Sequence, residues 1–145
     1  MENKIIGYTC GSFDLFHIGH LNILKKAKSM CDYLIVGINS DETMLKCKGK
    51  LPVIPYPERE QIIKSIKYVD KVIKVEVPTK CAKGSDWQIR IESDILFSGD
   101  DHKNEPDWNE LKQIKEKNGT RLIFFPYTKT TSSTLIRKVL EEKTK

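Results

Sequence analysis

The chain has 145 residues, 39% of them apolar and 31% charged, which suits one domain with a real core and excludes the apolar-poor composition of a disordered chain. The net charge of +5 comes from lysines scattered along the chain; it suits an anionic ligand, and without a basic stripe or an aromatic platform no nucleic-acid partner is expected. The longest apolar runs fall well short of the ~20 residues of a membrane span, and the N-terminus lacks the apolar core of a signal peptide, so a cytoplasmic protein with no membrane span is expected.

In chain order, "KIIGYTCG" (4–11) reads as a short buried strand ending in glycine. The run "LNILKKAKSM" (21–30) then places Leu21, Ile23, Leu24, Ala27 and Met30 at helical spacing. "YLIVGIN" (33–39) is a continuous apolar run of the kind a strand covered on both faces shows. Ser40 and Asp41 open a polar helix start, and the three prolines of "LPVIPYPERE" (51–60) demand a loop, with Pro57 in the first turn of a helix running on to Val69. "DKVIKVEV" (70–77) is the third strand, "SDWQIRIES" (85–93) a short helix, and "DILFSGDD" (94–101) the fourth strand. "DWNELKQIKEKNG" (107–119) is a helix stopped by Gly119, "TRLIFFP" (120–126) the fifth strand, and "SSTLIRKVLEEK" (132–143) a last helix with a Ser/Thr cap.

Strands alternating with helices at this spacing imply a single domain over 1–145. The expected fold class is α/β, a Rossmann-like parallel five-stranded sheet with helices on both faces and right-handed crossovers. Ligands of such sheets bind beyond the carboxyl ends of the strands, where the strand order reverses. Those ends are "CGSFD", "GINSDE", "SGDDHK" and "PYTKTTSST", the segments richest in Gly, Ser, Thr, Asp and His. The four cysteines, Cys10, Cys31, Cys47 and Cys81, form no CxxC pair and stand at no zinc-ligand spacing, so neither disulfides nor structural zinc are expected.

The first strand carries neither GxGxxG nor GxxxxGK[ST]. It carries "GSFDLFHIGH", which puts two of the chain's three histidines at i, i+3 at the mouth of a helix. Gly11 lets a ligand approach the backbone, and Gly19 leaves space beside both rings. A helix N-terminus offers free N–H groups and partial positive charge, and two imidazoles there can donate to phosphate oxygens and stabilise charge that builds up during phosphoryl or nucleotidyl transfer. Two histidines without a third nearby ligand make a poor zinc site, so no protein-held metal is expected.

"GSFDLFHIGH" resembles the GxFDxxHxGH signature of the cytidylyltransferase-like nucleotidyltransferases. The similarity extends through "YLIVGINSDE", "PERE", "KYVDKVI" and "SGDD", and in length and layout it is closest to the glycerol-3-phosphate cytidylyltransferases. The resemblance implies that His17 and His20 bind the triphosphate and stabilise the transition state at the α-phosphorus. It implies that Thr9, Cys10, Gly11, Ser12 and Phe13 hold the nucleotide phosphates, and that Asp14 orders the loop. Lys48 best matches the family's catalytic lysine, with Lys46 next to it as the second choice. Arg59 would brace the phosphates or the acceptor, and Asp100 and Asp101 would contact acceptor or ribose. Mg²⁺ would be held mainly by the triphosphate, and a homodimer formed across the sheet edge is implied.

The chain departs from the family at its second signature, RTEGISTT. Here "YTKTTSST" keeps Ser132, Ser133 and Thr134 to cap the last helix and hold phosphate, but places Tyr127, Lys129 and Thr130 where Arg, Glu and Gly are expected. Tyr127 would then face the nucleotide, and both CTP and ATP stay open as the donor: CMP transfer to a glycerol 3-phosphate-like acceptor leads, with adenylyl transfer to a sugar phosphate, as in ADP-heptose synthases, the alternative. "HKNEPDW" (102–108) leaves Trp108 as either an acceptor-pocket wall or a core anchor.

Overall fold

The computed structural model describes residues 4–76, 93–99, 116–117, 119–126 and 132–144. Five strands, β1 (Ile6–Gly11), β2 (Tyr33–Asn39), β3 (Lys71–Val75), β4 (Ile95–Gly99) and β5 (Arg121–Phe125), form one sheet in the order β3-β2-β1-β4-β5, with every pairing parallel. Its described helices are α1 (Ile18–Ser29), α2 (Asp41–Lys48), α3 (Tyr56–Lys64) and α4 (Ser133–Thr144). The chain runs outward from β1 to β3 and then returns to the other side of β1, so the strand order reverses between β1 and β4. The carboxyl ends of these two strands are where a ligand of an open α/β sheet belongs.

The core lies mainly on one face. Leu34, Val36 and Ile38 of β2, Ile95 and Phe97 of β4 and Phe125 of β5 pack there with Leu24 and Ala27 of α1 and Tyr56 and Ile63 of α3. Tyr8 and Leu96 are buried on the opposite face, with Cys10, Ile35, Ile73, Leu122 and Phe124 around them. Most of the helices expected over 85–93 and 107–119 lies outside the described residues. Close approach decides one composition choice in β2: a Cβ on Gly37 would stand 2.3 Å from the Tyr8 hydroxyl and 2.9 Å from a Val75 methyl.

One clasp recurs at the amino ends of the strands. The backbone N–H of Asp32 donates to the Ile5 carbonyl, and its carboxylate accepts the Ile5 N–H, both at 2.8 Å. Asp94 does the same to Ile6, and Asp70 to Leu34. Each aspartate stands immediately before its strand and satisfies a backbone donor at the start of a neighbouring one, Ile5 and Ile6 at β1 and Leu34 in β2. Asp70 also pairs with Lys28 of α1 at 2.5 Å, tying the end of that helix to the sheet.

Helix boundaries follow their caps. Ser40 accepts the Thr43 N–H to start α2, and Gly49, at φ 71, ends it in the left-handed conformation. Helix α3 starts at Tyr56 with Pro57 in its first turn, as expected, but stops at Lys64 rather than running on to Val69. Beyond Ser65 the chain turns tightly, through Ile66 N–H to Ile63 O and Val69 N–H to Ile66 O, so that Asp70 can reach Leu34 and begin β3.

Candidate active site

The two histidines build the start of α1. His17 is its N-cap, extended at φ −142, and its Nδ1 accepts the Gly19 N–H at 3.0 Å. His20, three residues on, turns its Nδ1 back to accept the His17 N–H at 3.2 Å. This is a capping box made of imidazoles, satisfying two helix-end donors reciprocally. The geometry also assigns the protons: a nitrogen that accepts an N–H is bare, so each neutral ring carries its hydrogen on Nε2. Both rings therefore keep an Nε2–H donor, at a helix start with no acidic residue in its first turn.

The rings are fixed by their neighbours. They stack on one another at 3.9 Å, and His20 also lies 5.4 Å from the rings of Phe16 and Phe13. Burial lowers the pKa of both. For His20, burial and then the adjacent His17 push it down to about 4, against a smaller opposing pull from Asp14. Near neutral pH the pair is uncharged and donates without the cost of a second positive charge.

The other expected phosphate-loop residues divide into backbone and buried side chain. The Thr9 and Phe13 side chains belong to the interior, so what they offer a ligand is main chain. Gly11 closes β1; a Cβ there would meet the Phe13 ring at 3.5 Å, an ordinary contact. Cys10 and Ser12 are half-buried, Gly19 is buried in the first turn of α1, and the Ser12 carbonyl is turned inward.

That carbonyl meets Arg59, and here the expectation of an acceptor-binding arginine is corrected. Arg59 is 0% exposed. Its Nε donates to the Ile54 carbonyl at 2.8 Å, Nη1 to the carbonyls of Ser12 and Asn39 at 2.7 and 2.8 Å, and Nη2 to Asp41 at 2.6 Å. With four hydrogen bonds to the loop after β1, the end of β2, the start of α2 and the loop before α3, the buried guanidinium ties these four segments together. Asp41 completes the joint by accepting the Tyr56 N–H at 3.0 Å.

Asp14 orders its loop from a fully buried position. It accepts the N–H groups of Val53 and Ile54 at 2.8 and 2.9 Å and is ion-paired with Arg137 of α4. Burial would raise its pKa, but the two amides and Arg137 outweigh burial and hold the carboxyl below its ordinary value. Ser132 caps α4 by accepting the Leu135 N–H at 3.1 Å, Ser133 donates its hydroxyl to the Asp14 carbonyl at 2.6 Å, and Thr134 is exposed. So α4 docks on the turn between β1 and α1.

Lys46 is exposed on α2, and Lys48 is that helix's last residue, its side chain lying outside the described ones. Asp100, Asp101, Trp108 and Tyr127 also lie outside the described residues. Arg137 was not singled out in the sequence, and Asp41 was read there only as part of a helix start. The signal for Arg137 is its i, i+4 spacing from Ser133, which puts both on one face of α4.

A family model, described as cytidylyltransferase-like, matches residues 8–139. The chain belongs to the cytidylyltransferase-like family. It is a nucleotidyltransferase, with 37% identity over 141 residues to a glycerol-3-phosphate cytidylyltransferase of Bacillus spizizenii, covering 93% of this chain and 95% of that one. An FAD synthase of Pyrococcus horikoshii is 32% identical over 145 residues, covering 99% and 95%. Among solved structures, a lipopolysaccharide core biosynthesis protein of Thermoplasma volcanium superposes with a TM-score of 0.66 at 27% identity, over 89% of this chain and all of that one.

Proposed function

We propose that this nucleotidyltransferase moves CMP from CTP to a small phosphorylated acceptor resembling glycerol 3-phosphate, releasing pyrophosphate and giving a CDP-alcohol for cell-surface polymer or lipid synthesis. The observation that carries the reaction is the pair of Nε2–H donors that His17 and His20 present at the N-terminus of α1, at the point where the strand order reverses. An acceptor phosphate oxygen attacks the α-phosphorus of the nucleotide. A new P–O bond forms, the bond from the α-phosphorus to the bridging oxygen breaks, and pyrophosphate leaves with the electron pair. No covalent intermediate on the protein is needed. Positioning and charge neutralisation carry the rate, through the two imidazoles, the backbone from Thr9 to Phe13 and, in this reading, Lys48, with Lys46 beside it.

Mg²⁺ fits as a companion of the triphosphate rather than as a resident of the protein. The Asp14 carboxylate, the acidic group nearest the histidines in the motif, is taken up by two amides and a guanidinium. The ion would supply charge neutralisation on the phosphates.

The glycerol-3-phosphate cytidylyltransferase relative supports CTP as the donor. Adenylyl transfer from ATP is the second reading, favoured by the FAD synthase that matches almost the whole chain. In that second reading the acceptor is a sugar phosphate, and a lipopolysaccharide core biosynthesis protein is among the similar solved structures. Pyrophosphate release, measured across a panel of nucleoside triphosphates and phosphorylated acceptors, tests the proposal. Turnover with CTP and glycerol 3-phosphate is expected; turnover with ATP alone selects the second reading, and none with any pair in folded protein rejects both. Pairing of two chains at the β3 edge is also proposed, and sedimentation of the free protein as a monomer would refute it.

A further inference from the structure

Asp14 is the meeting point of three segments far apart in the chain. Its Oδ1 accepts the Ile54 N–H, its Oδ2 accepts both the Val53 N–H and the Arg137 guanidinium, and its carbonyl accepts the Ser133 hydroxyl. The residues on either side of it, Phe13 at φ 50 and Leu15 at φ 52, both adopt the left-handed backbone that bulky side chains avoid. Two such residues within three positions make a turn that would relax if it were not held. That turn leads directly into the histidine pair: the Phe13 ring lies against His20, and His17 stands two residues beyond Leu15.

We infer that Arg137 is a positioning residue for nucleotidyl transfer, acting through Asp14 to hold the strained 13–15 turn, and with it His17 and His20, in place. Asp14 sits entirely inside the protein, whereas the Arg137 side chain is 35% exposed and reaches in from the surface of α4. Without the guanidinium, the buried carboxylate keeps two amide donors and loses its only cationic partner among the described ion pairs. Its hold on the 53–54 amides and on the turn then weakens together.

The kinetic part of this inference rests on the transfer reaction proposed above; the structural part does not. Hydrogen exchange in Arg137→Met, compared with the unaltered protein, reads the structural part directly. The Val53 and Ile54 amides should exchange about tenfold faster or more, while the amides of the β1–β2 ladder keep their protection. Unchanged exchange at 53 and 54 would overturn the inference, and it would do so even in a protein with no measurable turnover.

With turnover in hand, Arg137→Met should lower kcat by about tenfold or more with little change in KM for the nucleotide. Methylguanidinium should restore part of the loss, and Arg137→Lys should fall in between. In an Asp14→Asn background Arg137→Met should cost nothing further. A raised KM with kcat intact, or a full additional loss in that background, would mean that Arg137 meets the nucleotide itself, and the positioning role would be wrong. Should Asp14→Asn fail to fold, the exchange and the guanidinium rescue of the single variant still decide.

Discussion

His17 and His20 hold one another: the His20 Nδ1 accepts the His17 N–H at 3.2 Å while their rings stack at 3.9 Å. In the proposed reaction this one element is both helix cap and phosphate donor pair, and substitution can separate the two roles. His17→Asn keeps a side-chain acceptor for the Gly19 N–H but removes Nε2–H. It should leave the melting temperature near that of the unaltered protein and cut turnover by about 10²-fold or more. His17→Ala should lose the same turnover and also about 1 kcal/mol of stability, measured by denaturant unfolding.

The pair also predicts how stability responds to acid. The folded-state pKa of His20 is about 4, below its value of 6.5 in the unfolded chain. Between these values the unfolded chain binds a proton that the folded one does not. The stability contribution is therefore complete above about pH 6.5 and is lost as pH falls towards 4. Melting temperature should decline through this window, and His20→Gln should flatten the decline. A slope that survived His20→Gln undiminished would assign the protonation to another group.

Arg59 carries a different kind of expectation. It is buried with four hydrogen bonds to three carbonyls and Asp41, so Arg59→Met should destabilise the fold by about 3 kcal/mol or more, because those acceptors lose their donor together. Urea unfolding measures the loss. A variant as stable as the parent but with a raised KM for the acceptor would return Arg59 to substrate binding.

At Gly37 the sheet is closed to any side chain. Gly37→Ala would set a methyl 2.3 Å from the Tyr8 hydroxyl and should destabilise by about 1–3 kcal/mol. Tyr8→Phe removes the clashing oxygen, so the double variant should recover part of that loss. Denaturant midpoints of the two single variants and the double one give the coupling; strict additivity would show that the clash is relieved elsewhere.

Much of this was legible in the residues. The alternation of strands and helices, Ser40 at a helix start, Gly119 at positive φ as a stop, and the histidine pair at the head of α1 all follow from chemistry within a few positions of each residue. The strand-opening aspartates were visible too, as "CD", "VD" and "SD" before apolar runs, although what they bind was not. Arg59 departs from its expectation: the resemblance implies a group bracing phosphates or acceptor, and only the closure of four segments around it makes it an interior one.

By itself, then, the sequence determined the class of fold and the place of the histidines, because periodicity, capping and turn preferences act over three or four residues. The tertiary structure alone decided what surrounds them. The sheet order β3-β2-β1-β4-β5 sets the start of α4 against the first turn, bringing Ser133 and Arg137 to Asp14 across more than a hundred residues. A charged side chain does not specify its partner over such a separation; the crossings of the chain do, and here they turn a motif into a held site.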